Sequence, residues 1–227
     1  MKPQHIGVIM DGNRRWARAQ GKKPMDGHLA GYKNFYELSR YTFLEKKIPY
    51  LSAFVFSTEN WKRTEEEVGF LMRLVTRAIT EYLDDFHRDN IKILILGSRD
   101  KLSKPVLKAI EQAESKTAGN TGGTLALCFN YGGQQEIVDA AKAIIEQKIN
   151  ADSLDLETFE SYLYKPEVPP LDLIIRTSGE QRLSGFMLYR AAYSELLFLD
   201  KHWPDFTPED IDFALDEFAN RQRRYGA

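Results

Sequence analysis

Four short polar segments carry residue types suited to phosphate chemistry, and each directly follows an apolar run. Asp11-Gly12-Asn13-Arg14-Arg15 joins a carboxylate, a glycine, an amide and two arginines. A carboxylate in such a turn can hold a hard divalent cation while backbone N–H groups and guanidiniums hold phosphate oxygens. The same residues also fit a polar turn closed by Asx capping. An aspartyl nucleophile of the phosphatase type fits less well, because that chemistry wants a second acid two residues on and position 13 is Asn. Arg176-Thr177-Ser178-Gly179-Glu180, with Arg182 and Ser184, again offers guanidinium forks for an oxyanion, or else an ion-pair network with Glu180 and neighbouring acids. Ser57-Thr58-Glu59-Asn60-Trp61 and Asn130-Tyr131-Gly132-Gly133 complete the set. A lone His28 reads first as a satisfied structural histidine. Glu195 opens an apolar run, where a buried carboxylate needs either an arginine or a metal as partner.

These segments need elements to hold them. Six apolar runs rich in β-formers read as strands: His5–Met10, Tyr50–Phe56, Ile91–Gly97, Thr124–Phe129, Leu171–Arg176 and Glu195–Leu199. Between them lie helical periods. The clearest runs Val68, Leu71, Met72, Val75, Ile79, Tyr82, Leu83 and Phe86, introduced by Thr64 with Glu67 three residues on as a capping box. Others are Leu29–Lys46, Lys104–Lys116, Gln134–Lys148 and a last one opened by Thr207-Pro208-Glu209-Asp210. Alternating strands and helices predict a single-domain α/β sandwich over residues 1–227, with a mostly parallel six-stranded central sheet flanked by helices. In such sheets ligands bind beyond the carboxyl ends of the strands. All four polar segments fall on that rim.

Composition narrows the class. The 227 residues are 43% hydrophobic and 28% charged, as in a soluble globular protein. A net charge of -2 argues against a duplex-DNA binder and for no nucleic-acid partner. Seven basic residues against two acidic ones between Met1 and Lys33 nevertheless concentrate positive charge around Asp11. A single cysteine, Cys128, allows no internal disulfide and predicts a reducing, cytoplasmic setting. No apolar stretch approaches the length of a membrane span, and the start lacks an apolar signal segment.

The strings HIGVIMDGNRRWARAQG, FVFSTENWKRTEEEV, NYGGQQEIVDA, RTSGEQRLSGFMLYRAAYSELLFLDKHWPDF and NRQRRYG, in that order, resemble the cis-prenyltransferase family, which includes undecaprenyl diphosphate synthases. The resemblance covers His5 to Gly226. It implies an α/β sandwich with a hydrophobic tunnel between sheet and helices. The implied activity joins an allylic diphosphate to isopentenyl diphosphate, with a new cis double bond and release of diphosphate. Carried over by motif, Asp11 is the magnesium-associated carboxylate, and Glu195 a second Mg²⁺ contact. Gly12, Asn13, Arg14, Arg15, Trp16, His28 and Arg63 surround the allylic diphosphate. Arg176, Arg182 and Ser184 hold the diphosphate of isopentenyl diphosphate. Ser57 and Asn60 lie near proton removal, with Phe56 beside them, and Trp61 and Glu67 stand on a loop that is mobile in the family. Arg224-Tyr225-Gly226 resembles a motif through which a second copy completes the site, so a homodimer is implied.

Four positions bear on specificity. Pro24 stands where the family commonly has an arginine, and Arg14 where long-chain bacterial members have glycine, so Lys22 and Lys23 are candidates to compensate. Val55 replaces the alanine of long-chain relatives on the tunnel wall, which predicts a short or medium product, and peripheral membrane contact is expected only for a long one. Phe129 either narrows the far wall or belongs to the core. Head-to-middle coupling of the lavandulyl type and long-chain synthesis are alternatives within the family. A non-catalytic partner subunit is the alternative outside catalysis, and the retained Asp11 speaks against it.

Overall fold

The computed structural model describes residues 2–221. Its centre is one sheet of six strands, β1 (His5–Ile9), β2 (Tyr50–Ser57), β3 (Ile91–Leu96), β4 (Gly123–Tyr131), β5 (Leu173–Arg176) and β6 (Glu195–Phe198). They lie in the order β3-β4-β2-β1-β5-β6, and every pair is parallel. Parallel neighbours need long crossovers, and helices supply most of them. From β1 the chain moves to β2 on one side and, after β4, returns to β5 on the other, so the connections diverge at β1. That divergence opens a crevice at the carboxyl end of β1. Asp11 leaves the sheet there.

The helices are α1 (Asn13–Ala19), α2 (Pro24–Arg40), α3 (Glu65–Glu81), α4 (Leu83–Arg88), α5 (Lys104–Thr117), α6 (Gly133–Glu146), α7 (Leu156–Glu160) and α8 (Pro208–Asn220). One sheet face buries the main core, where Val8, Leu51, Ile93, Leu127 and Ile175 meet Leu38, Val75, Ile79, Ile110, Trp203 and Phe218 from the helices. The other face holds a smaller cluster, with Ile9, Leu96, Cys128, Ile174, Phe186 and Met187. Both faces being covered explains why the strands are continuous apolar runs.

Several boundaries differ from the sequence reading for local reasons. α1 is a seven-residue helix where the sequence suggested only a turn. α2 begins at Pro24, the first helical position, with Lys23 N–H bonded to Asp26 at 3.0 Å, and it passes into a π-turn over Tyr41–Glu45. The helical period that starts at Val68 breaks at Tyr82, so Leu83 and Phe86 belong to α4. β4 runs two residues beyond Phe129, bringing Asn130 and Tyr131 into the sheet. The last helix opens as expected, with Thr207 at the cap and Pro208 in the first position, and the Asp210 carboxylate accepts from the Thr207 N–H at 2.7 Å. At Thr64 only half of the expected box forms: its hydroxyl accepts from the Glu67 N–H at 3.3 Å, while the Glu67 carboxylate turns to arginines.

Candidate active site

β1 ends in a turn that only glycine permits. Gly12 has φ of 100°, and a Cβ there would come 2.7 Å from both Ser178 Oγ and His202 Nδ1. The backbone carbonyl of Asp11 is held by the Thr177 hydroxyl at 2.7 Å and the Trp203 N–H at 3.0 Å. Its carboxylate accepts from Gly12 N–H at 2.7 Å and from Arg176 at 2.9 Å, with Arg15 at 3.2 Å. Burial raises the Asp11 pKa, but the Arg176 and Gly12 hydrogen bonds and the charges of Arg176 and Arg15 outweigh it, and the net shift is downward. Asp11 is therefore a carboxylate at neutral pH.

Two polar pockets share this carboxylate. The first, about 350 Å³, is walled by Asp11, Arg14, Arg15, Arg18, His28 and Arg63. The second, about 390 Å³, is walled by Asp11, Ser57, Asn60, Arg63, Arg176 and Ser184. Among the described residues only Met10, Asp11 and Arg63 border both. An apolar cavity of about 100 Å³ opens beside them between α2 and α3, lined by Tyr32, Phe35, Val55, Leu71, Val75 and Trp203. It shares Met10, Asn13 and His28 with the first pocket, and Met10 and Val55 with the second.

Arg14, Arg15, Arg63, Arg176 and Arg182 each have a carboxylate behind them. Glu67 Oε1 lies 2.7 Å from Arg63, 3.6 Å from Arg14 and 3.6 Å from His28 Nε2. Glu180 bridges Arg15, at 3.0 Å, and Arg182. Arg176 donates to Ser184 Oγ at 2.9 Å and to the Arg182 carbonyl. Burial, assisted by Arg63, pushes the His28 pKa down to about 4, so the ring is neutral near pH 7. Asn13 Oδ1, His28 Nε2 and Arg176 Nε are buried without a hydrogen-bond partner. Asn13 and His28 border the first pocket and Arg176 the second, so each stands beside space that a polar ligand would fill.

Most of the expected residues converge. Ser57 closes β2, and its N–H bonds to Asn60 Oδ1 at 3.1 Å. Trp61 stands edge-on to Phe56 at 5.3 Å, and its indole N–H reaches Asn130 Oδ1 at 2.8 Å. Phe56 is buried, and it borders the second pocket. Trp16 turns away, donating to Asp205 at 2.7 Å beneath Lys22, and lines neither polar pocket. Phe129 is core against Phe56, and Leu127 is the β4 residue on the cavity. Glu195 lies apart from the Asp11 corner within one chain. It sits at the amino end of β6, level with Leu173 and hence Ile6, and pairs with Arg221 at 2.9 Å. At about 3.3 Å per residue, that level is some 10 Å short of Ile9 and two strands across, so within one chain Glu195 and Asp11 do not meet at one ion. Arg224, Tyr225 and Gly226 lie outside the described residues. Arg18, Tyr32 and Trp203 escaped the sequence reading. Arg18 is four residues from Arg14, on the same helix face, and an earlier recognition of α1 would have found it.

The comparisons with known proteins agree with this geometry. The prenyltransferase family model, described for undecaprenyl diphosphate synthases, matches residues 9–226. The isoprenyl transferase of Thermotoga maritima is 46% identical over 226 residues, 99% of this chain and 97% of that one. A trans,polycis-polyprenyl diphosphate synthase of Thermobifida fusca, described as (2Z,6E)-farnesyl diphosphate specific, is 42% identical over 99% of this chain and 80% of its own. The crystal structure of lavandulyl diphosphate synthase from Lavandula x intermedia, in complex with dimethylallyl diphosphate, superposes with a TM-score of 0.94 at 33% identity, covering 100% of this chain and 99% of that one. With the motifs in order along an all-parallel sheet and nearly the whole chain matched, this protein belongs to the cis-prenyltransferase family and is a prenyltransferase.

Proposed function

We propose that the chain is a Mg²⁺-dependent synthase that joins an allylic isoprenyl diphosphate to isopentenyl diphosphate, releasing diphosphate and forming a short to medium Z-prenyl diphosphate. One observation carries the reading: two cation-lined pockets meet at Asp11 and Arg63, and both adjoin an apolar cavity. The allylic head group takes the first pocket with its tail in the cavity, and isopentenyl diphosphate takes the second. Arg63 then touches both diphosphates, which fixes their separation. The lone His28 stays neutral and donates or accepts without adding charge.

Among the described residues no three His, Cys, Asp or Glu side chains form a metal cage. A single ionised carboxylate between two phosphate pockets suits Mg²⁺, which keeps several waters and binds through one or two carboxylates plus substrate phosphates. Asp11 is the residue that would hold it, and the ion would neutralise charge developing on the leaving diphosphate. Arg14, Arg15 and Arg63 stabilise the same charge through bidentate contacts. The walls of Phe35, Leu71, Val75 and Trp203 exclude water from the allylic cation and bury the tail at about 0.8 kcal/mol per CH₂. Ser57 and Asn60 do not ionise near pH 7, so they orient the second substrate. The proton it loses passes to a diphosphate oxygen.

A second reading has its own observation. The lavandulyl diphosphate synthase likeness favours head-to-middle coupling of two allylic diphosphates, one in each pocket. Among the described residues no helix is long and apolar enough to cross a membrane. We place the active form in the cytoplasm as a homodimer, each site completed by Arg224 and Gly226 of a second copy. The test is incubation with labelled isopentenyl diphosphate, a series of allylic primers and Mg²⁺, followed by mass spectrometry and NMR of the product. A linear Z-product supports the first reading and a branched one the second. No extractable product with any primer overturns both in favour of a non-catalytic partner subunit.

A further inference from the structure

The Asn130-Tyr131-Gly132-Gly133 segment lines neither polar pocket, yet it leads to a buried charge that the reaction does not use. One turn into α6, Glu136 is 1% exposed and faces Arg190, 4% exposed. Their ion pair at 2.7 Å is closed on every side. Glu136 also accepts from Tyr164 N–H at 3.1 Å and from the Tyr131 hydroxyl. Arg190 donates to the carbonyls of Val168 at 3.1 Å and Tyr164 at 2.8 Å. Apolar residues of similar volume stabilise a fold as well as such a pair, or better. What a fully bonded pair supplies in addition is direction.

The direction is given to residues 182–190. Ser184 and Met187 have φ of 51° and 42°, on either side of Gly185 at 82°. Non-glycine residues hold left-handed backbone only where the surroundings over-determine it, and such strain gathers at functional sites. Here the anchors are visible. Arg176 grips Ser184 Oγ at 2.9 Å. Gly133 N–H donates to the Gly185 carbonyl at 2.8 Å, with no room for a Cβ at Gly133. Phe186 is fully buried against Gly7. Arg190 closes the far end on Glu136. Ser184 and Arg176 are walls of the second pocket, whereas the first draws its walls from the turn at Asp11, α1, α2 and Arg63.

We propose that Glu136 and Arg190 are positioning residues for the second pocket, setting the 182–190 segment so that Ser184 and Arg176 present their donors to the diphosphate bound there. This rests on assigning that pocket to isopentenyl diphosphate. A pair acting only on stability would weaken the whole protein. A positioning pair acts on one substrate.

The experiment uses the full chain with two variants. Glu136→Gln keeps hydrogen bonding and removes the charge, and the double variant Glu136→Leu with Arg190→Met removes both charges at similar volume. Steady-state kinetics are measured with each substrate varied in turn, together with calorimetric binding of isopentenyl diphosphate alone. The expected result is a KM and Kd for isopentenyl diphosphate raised at least about tenfold in the double variant and less in Glu136→Gln, with the allylic KM and kcat within about twofold of wild type. Equal rises in both KM values, or a fall in kcat alone, would overturn the proposal and leave the pocket assignment standing. If the double variant does not fold, Glu136→Gln and Glu136→Asp decide by the same selectivity. A wild type that turns over without binding isopentenyl diphosphate overturns the assignment and the proposal together.

Discussion

Replacing Asp11 separates its chemical role from its structural one. The carboxylate accepts one charged hydrogen bond from Arg176 at 2.9 Å, an interaction whose loss costs about 1.5–3 kcal/mol. Arg176 is 5% exposed and already carries an unpartnered Nε, so Asp11→Ala should lower stability by an amount near the upper part of that range. A domain of ordinary stability, about 5–15 kcal/mol, remains folded. Asp11→Asn keeps the shape and the Gly12 contact and should cost less. Turnover should fall by at least ~100-fold in both, about 2.7 kcal/mol of transition-state stabilisation. The reason is that both remove the one carboxylate that, among the described residues, borders both pockets. The assay is release of labelled prenyl product at saturating Mg²⁺ and substrates, beside thermal melts of each variant. Because the Asp11 pKa lies below its usual value, wild-type turnover should show no loss from Asp11 protonation between pH 5 and 7. Near-normal turnover of Asp11→Asn would refute the role assigned to the charge, and loss of folding in both variants would refute the separation.

Three further outcomes are expected. Arg224→Ala should weaken use of isopentenyl diphosphate without dissociating the dimer, and mixing it with Asp11→Ala subunits should partly restore activity. No recovery despite proven subunit exchange would count against a shared site. Val55 borders both the apolar cavity and the second pocket, so Val55→Ala should shift products toward longer chains, and an unchanged single product by mass spectrometry would remove it as the limiting wall. His5 is fully buried, with Nδ1 2.8 Å from the Pro169 carbonyl and Nε2 2.7 Å from Ser52 Oγ, and burial pushes its pKa down to about 4. The unfolded chain takes that proton first, near pH 6.5, so stability is full above that pH and falls by about 3 kcal/mol as pH drops toward 4. Urea midpoints should lose this slope in His5→Asn, and an unchanged slope would show that other groups govern the acid limb.

The sheet was legible because burial on both faces leaves little choice of residue. Ile91–Leu96 is apolar but for Lys92, and Leu173–Arg176 but for its closing arginine, so the apolar pattern alone places their ends within two residues. Where a strand ends on polar residues the pattern runs out early. β4 continues through Asn130 and Tyr131 because Tyr131 finds Glu136 and Asn130 finds the Ser98 and Asp100 carbonyls, the latter partners that no local window contains. α1 was invisible for a related reason. Its N-cap is Gly12, which has no side chain to announce a helix, and its first turn is Asn-Arg-Arg, which reads as a loop.

The site shows the same division more sharply at Glu67. Thr64 and Glu67 have the spacing of a reciprocal cap, worth about 1 kcal/mol at such a position. A local reading therefore assigns the carboxylate to the helix. In the fold, α2 brings His28 and α1 brings Arg14 to the same corner as Arg63, and a carboxylate facing two guanidiniums gains more than one facing a backbone N–H. Glu67 leaves the cap, and Thr64 closes the helix alone. Glu195 obeys the same rule: within one chain the strand register puts it with Arg221 at the amino end of β6. Residue type says what a side chain can bind, while register and crossover decide which partner reaches it. For that reason the place of Asp11, fixed by its own strand end and the turn at Gly12, is legible in the sequence, and the partners of Glu67, which arrive from three elements, are not.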